Sequence, residues 1–254
     1  MLLALKLLLV PGLIAVVSLA GRRWGPRIGG LLAGLPMVAG PVLLFLALEQ
    51  GVSFAAGAAL SALAALVGVA GFCVAYAWTA LQRPWAVGLV AGWTAFAVCA
   101  AAVHAVPWRP WAALAATLLS FAAGRALLPR RPGPGVTPAW PPWDLGLRMA
   151  SAVALVLVTT SLAARLGPSL TGILTPFPVA ISVLAAFAHA QQGPPGLLRL
   201  LESFLPSMGS FAAFCYVLAV GLEPLGVAGA FALALGVQLA IQALLLARMR
   251  RARW

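Results

Sequence analysis

One stretch of this chain is written twice. Residues 24–51, WGPRIGGLLAGLPMVAGPVLLFLALEQG, align without a gap on residues 166–193, LGPSLTGILTPFPVAISVLAAFAHAQQG. The copies agree at Gly25 with Gly167, Pro26 with Pro168, Gly30 with Gly172 and Leu32 with Leu174. They agree again at Pro36 with Pro178, Phe45 with Phe187, Gln50 with Gln192 and Gly51 with Gly193. The same register carries on to Ser61 with Ser203, Phe72 with Phe214 and Cys73 with Cys215. Most of these identities are not Ala or Leu, so an apolar composition does not produce them by itself, and they mark an internal duplication. An apolar stretch interrupted by proline at one position in both copies points to a binding site between repeats of a transporter.

The duplicated stretch belongs to a chain that could not cover its own surface in water. It is 63% hydrophobic and 8% charged, with mean hydropathy +1.06, where soluble domains carry about 25% charged residues. Runs of some twenty apolar residues recur, the length that crosses a bilayer as helix, and no short alternating segments of a membrane barrel occur. The fold class expected is an all-α polytopic membrane protein in contact with membrane lipid. The net charge of +12 sits at span ends as arginine, the pattern of topogenic loops, and no basic stripe suited to nucleic acid accompanies it. Cys73, Cys99 and Cys215 lie in apolar runs without metal or redox spacing, so they read as small packing residues. His104 and His189 lack a haem-attachment context. No metal and no cofactor is expected.

About nine transmembrane helices fit the sequence, as two four-helix repeats joined by a central helix. Repeat 1 covers residues 1–106, the linking helix and a Pro/Gly linker cover 107–143, and repeat 2 covers 144–254. The first apolar run superficially resembles a signal peptide, but residues 1–19 align with residues 143–161 deep in the chain, so it is expected to be a true span. Four spans return the chain to its starting side, and the fifth crosses over. The second set therefore starts from the opposite face, and the repeats should be inverted. With nine spans, thirteen of the sixteen basic residues fall on one side. The positive-inside rule then places the amino terminus outside and the carboxyl terminus in the cytoplasm.

The candidate site residues follow from that layout. Proline withholds a backbone donor and frees a carbonyl one turn earlier, and in lipid that carbonyl must face protein, water or ligand. Gly34 and Pro36 in the first copy, with Thr175, Pro176 and Pro178 in the second, are therefore the substrate-binding candidates. The alternative is two kinked helices that only pack together. Glu202, an acid inside an apolar run with Leu60 as its counterpart, is a proton-coupling candidate, unless it pairs with Arg199 near the interface. His189 is a second candidate, because histidine titrates near neutrality. Glu49, Gln50, Gln191 and Gln192 close the two copies of the repeated stretch and are gate candidates, or simply polar span ends. Asp144 reads as a helix N-cap. With four acids, two histidines and no nucleotide-binding fingerprint, no catalytic set is present and an enzyme is not expected.

The second copy, with Gly172, Phe177, Pro178, His189 and Gly193, resembles the GlpM-like family of small bacterial inner-membrane proteins. The first copy keeps Gly30, Pro36 and Gly51 but has Leu35 and Ala47 in place of the aromatic and the histidine. The resemblance covers about a tenth of the chain, implies an inner-membrane location and brings no activity with it. The expected function is secondary transport of a small solute or ion by alternating access between inverted repeats. The alternatives are a non-transporting scaffold subunit of an envelope-polymer or lipid pathway, or a channel, and any of these is compatible with an oligomer.

Overall fold

The computed structural model describes residues 2–36, 39–104, 106–129, 141–166 and 177–251. Among them every regular element is an α-helix. The first seven are α1 (Leu2–Trp24), α2 (Pro26–Ala33), α3 (Ala39–Gln50), α4 (Val52–Thr79), α5 (Trp85–His104), α6 (Pro110–Leu127) and α7 (Asp144–Leu166). The stretch Val179–Arg251 is helical except at Gly193 and Gly226, whose backbone angles are not helical. These two glycines divide it into α8 (179–192), α9 (194–225) and α10 (227–251).

Local chemistry explains the divisions. Gly25, Gly51, Gly193 and Gly226 hold φ of 91°, 91°, 67° and 66°, where a Cβ would be strained and only glycine is at ease. Each is a one-residue joint between consecutive helices. Pro26 and Pro194 follow two of these joints, and proline suits the first helical position because its missing donor would have no partner there. Gly51 and Gly193 are register-equivalent in the sequence, so the duplicated residue holds the same kind of joint in both copies. The element bounds keep the same register. Leu2–Trp24 and Asp144–Leu166 are both 23 residues long, and each end of one lies on the matching end of the other.

What sequence reading takes as one span from residue 28 to about 48 is two helices, α2 and α3. The helix stops at Ala33, with Gly34 and Leu35 donating back to Leu31 and Leu32 in a tightened last turn. Pro36 follows, and the residue before a proline is pushed out of the helical region. By contrast, α9 continues through Pro206.

Packing is close where small residues allow it. A Cβ on Gly88 would sit 1.9 Å from the Tyr76 ring, on Gly92 2.6 Å from Phe72, on Gly68 2.9 Å from Phe96, and on Gly71 2.9 Å from the Cys99 sulfur. From Gly68–Phe96 through Phe72–Gly92 to Tyr76–Gly88 one helix index rises as the other falls, so α4 and α5 run antiparallel with these glycines each receiving a ring of its neighbour. α6 lies against α4, where Thr117 Oγ1 donates to the Leu63 carbonyl at 2.8 Å. The core this builds is continuous and includes Phe72, Tyr76, Phe96, Leu201, Phe214 and Leu218.

The outward faces are apolar as well. Val98 on α5, Leu119 on α6 and Leu244 on α10 stand 64%, 70% and 65% exposed, a distribution that suits hydrocarbon and not water. Among the described residues four helical stretches are long and apolar enough to cross a membrane: Val52–Thr79, Trp85–His104, Pro110–Leu127 and the jointed Val179–Met249. The molecule is thus compatible with a multi-pass membrane protein.

Overpacking costs about 1–3 kcal/mol, sometimes more. Gly88→Leu should therefore lower the apparent unfolding temperature in detergent by several degrees. Gly57→Ala, with nothing within 4 Å of its Cβ position, should leave that temperature unchanged. An unchanged Gly88→Leu protein would contradict the α4–α5 contact.

Candidate functional site

The break after α2 is one place where the two halves of the chain meet. α2 lies along α9 and crosses to α10. Gly30 permits the approach, since a Cβ there would fall 2.2 Å from Ser203 Oγ and 2.4 Å from the Leu200 carbonyl. Gly34 does the same, with Ser207 Oγ at 2.0 Å from its Cβ position. The carbonyls at the end of α2 are then taken up by side chains. Ser207 Oγ donates to the Leu31 carbonyl. Gln242 Nε2 donates to the same carbonyl at 3.2 Å and to Ser207 Oγ at 2.7 Å. Gln238 Nε2 donates to the Gly34 carbonyl at 2.9 Å and lies 3.4 Å from Ser210 Oγ. Ser207, Ser210, Gln238 and Gln242 are all buried.

The second proline element has different company. Pro178 is buried, and its carbonyl accepts from Ser182 Oγ at 2.7 Å. Trp93 Nε1 donates to that hydroxyl at 2.9 Å. The Phe177 ring packs against Trp93 and Phe96, with centroids 5.7 and 5.6 Å apart. These contacts fall within one residue of the repeat register. Leu35 is the counterpart of Phe177, and Phe96 is the counterpart of Gln238. The Gly34–Pro36 element thus meets amides and hydroxyls of α9 and α10, and Phe177 beside Pro178 meets aromatic rings of α5. Gly34 lies against the second half of the chain, and Phe177, next to Pro178, against the first. Thr175 and Pro176 lie outside the described residues, as do Gly167, Pro168, Gly172 and Leu174.

A second polar group joins α1, α7 and α8. Asp144 is the first residue of α7, and its carboxylate serves other helices in place of capping its own. It accepts from Arg22, from Arg148 Nε at 2.9 Å and from the Gln191 amide. Arg148 in turn donates to Gln191 Oε1 at 2.8 Å, and its guanidinium lies 4.6 Å from the centre of the Phe187 ring, a cation–π distance. A buried ion pair of this kind costs desolvation and holds only while its hydrogen bonds are complete. Beside it a small cavity is lined by Ser18, Gly21, Gly29, Arg148, Ala188 and Gln192.

The remaining candidates separate. Gln191 belongs to the Asp144 group and Gln192 lines the cavity, whereas Glu49 and Gln50 are exposed at the end of α3. His189 is buried, edge-on to Tyr76 at 5.9 Å, and its Nδ1 has no partner. Glu202 is half-buried on α9, next to the Ser203 that faces Gly30. Ser207, Ser210, Gln238 and Gln242 escape a reading of the sequence for charge and proline. Their signal is a pair of glutamines one helical turn apart in an apolar run, where the first copy has Phe96 and Ala100. The described residues contain no group of three or more His, Cys, Asp and Glu able to hold a metal ion.

No family model, no curated protein and no solved structure matches this chain. The GlpM-like resemblance rests on its motif residues alone.

Removing one partner of a buried ion pair costs about 3–5 kcal/mol. The double replacement Asp144→Asn with Arg148→Met should therefore lower the apparent unfolding temperature by clearly less than the sum of the two single replacements. Additive losses in that cycle would mean the two side chains are not coupled.

Proposed function

We propose that this protein is a secondary transporter of a small solute in the bacterial inner membrane, working by alternating access between two inverted repeats. The observation that carries the proposal is the reciprocal seating of the proline elements. The Gly34 carbonyl meets Gln238, and Phe177, one position beyond the counterpart of Gly34, meets Phe96, the counterpart of Gln238. A reciprocal seam of this kind is expected of two copies related by a twofold axis, with the interrupted helices at their boundary. Inverted-repeat transporters bind solute at such interrupted helices and move by rocking one repeat against the other. The arginine bias supports the orientation with amino terminus outside and carboxyl terminus in the cytoplasm.

The energetics suit a moving part. The α2 seam is held by neutral hydrogen bonds between side chains and backbone, each worth about 0.5–1.5 kcal/mol net. A handful of these can be exchanged for solute contacts at a cost that binding supplies. The Asp144–Arg148–Gln191 group is stiffer, and it ties α7 to α8 within the second copy.

The test is accessibility of Ser210→Cys in a protein whose Cys73, Cys99 and Cys215 are replaced by alanine. An alternating transporter should label with a membrane-impermeant maleimide from either face in oppositely oriented vesicles. Labelling from one face should protect against the other. Labelling from both faces at once indicates a channel, and no labelling from either face indicates a scaffold.

A further inference from the structure

We infer that the small cavity beside the Asp144 group binds one small monovalent anion, chloride by preference, held by Ser18, Gln192 and the charge of Arg148. Its wall comes from α1 and α2 of the first half of the chain and from α7, α8 and α9 of the second. Ser18, Arg148 and Gln192 are the polar residues of that wall with side chains able to donate, and they are 5%, 4% and 8% exposed. A serine inside a helix commonly returns its hydroxyl to a carbonyl one turn back, as Ser182 and Ser203 do. Ser18 does not, and its Oγ is buried without a partner. Among the described residues the Gln192 amide also has no hydrogen-bond partner, in contrast to Gln191, Gln238 and Gln242. One O–H and two N–H groups are therefore on offer at the cavity, and a guest that takes them breaks no bond already made.

Charge decides the sign of the guest. The charged groups that act on Arg148 are Asp144 and Arg22. The Asp144 carboxylate accepts from both guanidiniums and from Gln191, so two positive charges share one negative charge. Arg23 and Arg27, close in the chain to the wall residues Gly21 and Pro26, add to the positive field. Burying charge without a counter-ion is costly, and an anion beside Ser18 and Gln192 offsets that cost. A water molecule would satisfy the hydroxyl and the amide but not the charge. Volume decides the size of the guest. The cavity measures about 30 Å³, and one water needs at least about 10–15 Å³. A halide fits there, whereas sulfate is larger and carries a second charge. The register counterparts of Arg22, Asp144 and Arg148 are Ala164, Leu2 and Lys6. The charge group is thus not duplicated, and one ion per chain is expected.

Binding stands without the proposed transport, and the two fail separately. The experiment is thermal unfolding of the purified full chain in a chloride-free sodium gluconate buffer with detergent. It is titrated at constant ionic strength with sodium chloride, choline chloride and sodium sulfate. Expected is a saturable rise in unfolding temperature with chloride from either salt, and no saturable rise with sulfate. Ser18→Ala and, separately, Gln192→Leu should each weaken the apparent chloride affinity at least tenfold. In gluconate, Ser18→Ala should match or exceed the unfolding temperature of the parent, because it removes a buried hydroxyl that has no partner. If Gln192→Leu does not fold, Ser18→Ala decides. A cavity filled by water alone would give no chloride response, and that result overturns the inference. Equal saturable responses to chloride and sulfate would do the same, as would unaltered chloride responses in the variants. Chloride binding without the face-dependent labelling of Ser210→Cys would keep the anion site and reject transport.

Discussion

A helix that ends inside an apolar surrounding must find partners for its last carbonyls. That requirement organises this molecule. α2 is only eight residues long and stops at Ala33 because Gly34 and Pro36 cannot carry the helix on. The Leu31 and Gly34 carbonyls cannot be left to hydrocarbon, where each unsatisfied group costs several kcal/mol. The partners come from more than 170 residues further along the chain, from Ser207, Gln238 and Gln242. Satisfying one short helix thus fixes how α9 and α10 must lie against it. The glycines at positions 30 and 34 are the steric condition for the same arrangement.

The sequence register gives this place a counterpart elsewhere in the chain. The equivalent place in the other copy is met by Trp93, Phe96 and Phe177, with Ser182 covering the Pro178 carbonyl. Two places at matching positions of the sequence register have opposite chemistry. One is rich in oxygen and amide, the other in rings. An exact repeat would have to use one chemistry twice. A fused pair can keep a shared geometry and assign a polar task to one side alone.

Much of the architecture was legible in the sequence because its signals are backbone signals. The glycines at 51 and 193 and the prolines at 36 and 178 act through φ and through a missing donor, and such effects survive in any context. The all-helical, apolar class followed from composition. The break between α2 and α3 was announced by Pro36, although reading by hydropathy fuses the two helices into one span. The candidate site was legible only in part. Gly34, Pro36 and Pro178 were marked, but Ser207, Ser210, Gln238 and Gln242 were not, because isolated serines and glutamines in an apolar run have no spacing motif. Their meaning arises only when residues 31 and 34 are brought beside 207, 238 and 242. Asp144 and Arg148 were visible as charges. That their partners would be Arg22 and Gln191 depends on how α1 and α8 pack, and no local pattern encodes that.

The four glycine joints limit how such a molecule can move. Where a loop of several residues connects two helices, slack lets them slide, tilt and separate independently. A single residue offers two torsions and almost no length. Helices on either side of Gly25, Gly51, Gly193 or Gly226 can swing about a common point, but they cannot draw apart. α8 and α9 therefore behave as two rods on one pin, as do α3 and α4. Any displacement at the far end of a rod is geared directly to an angle at its glycine.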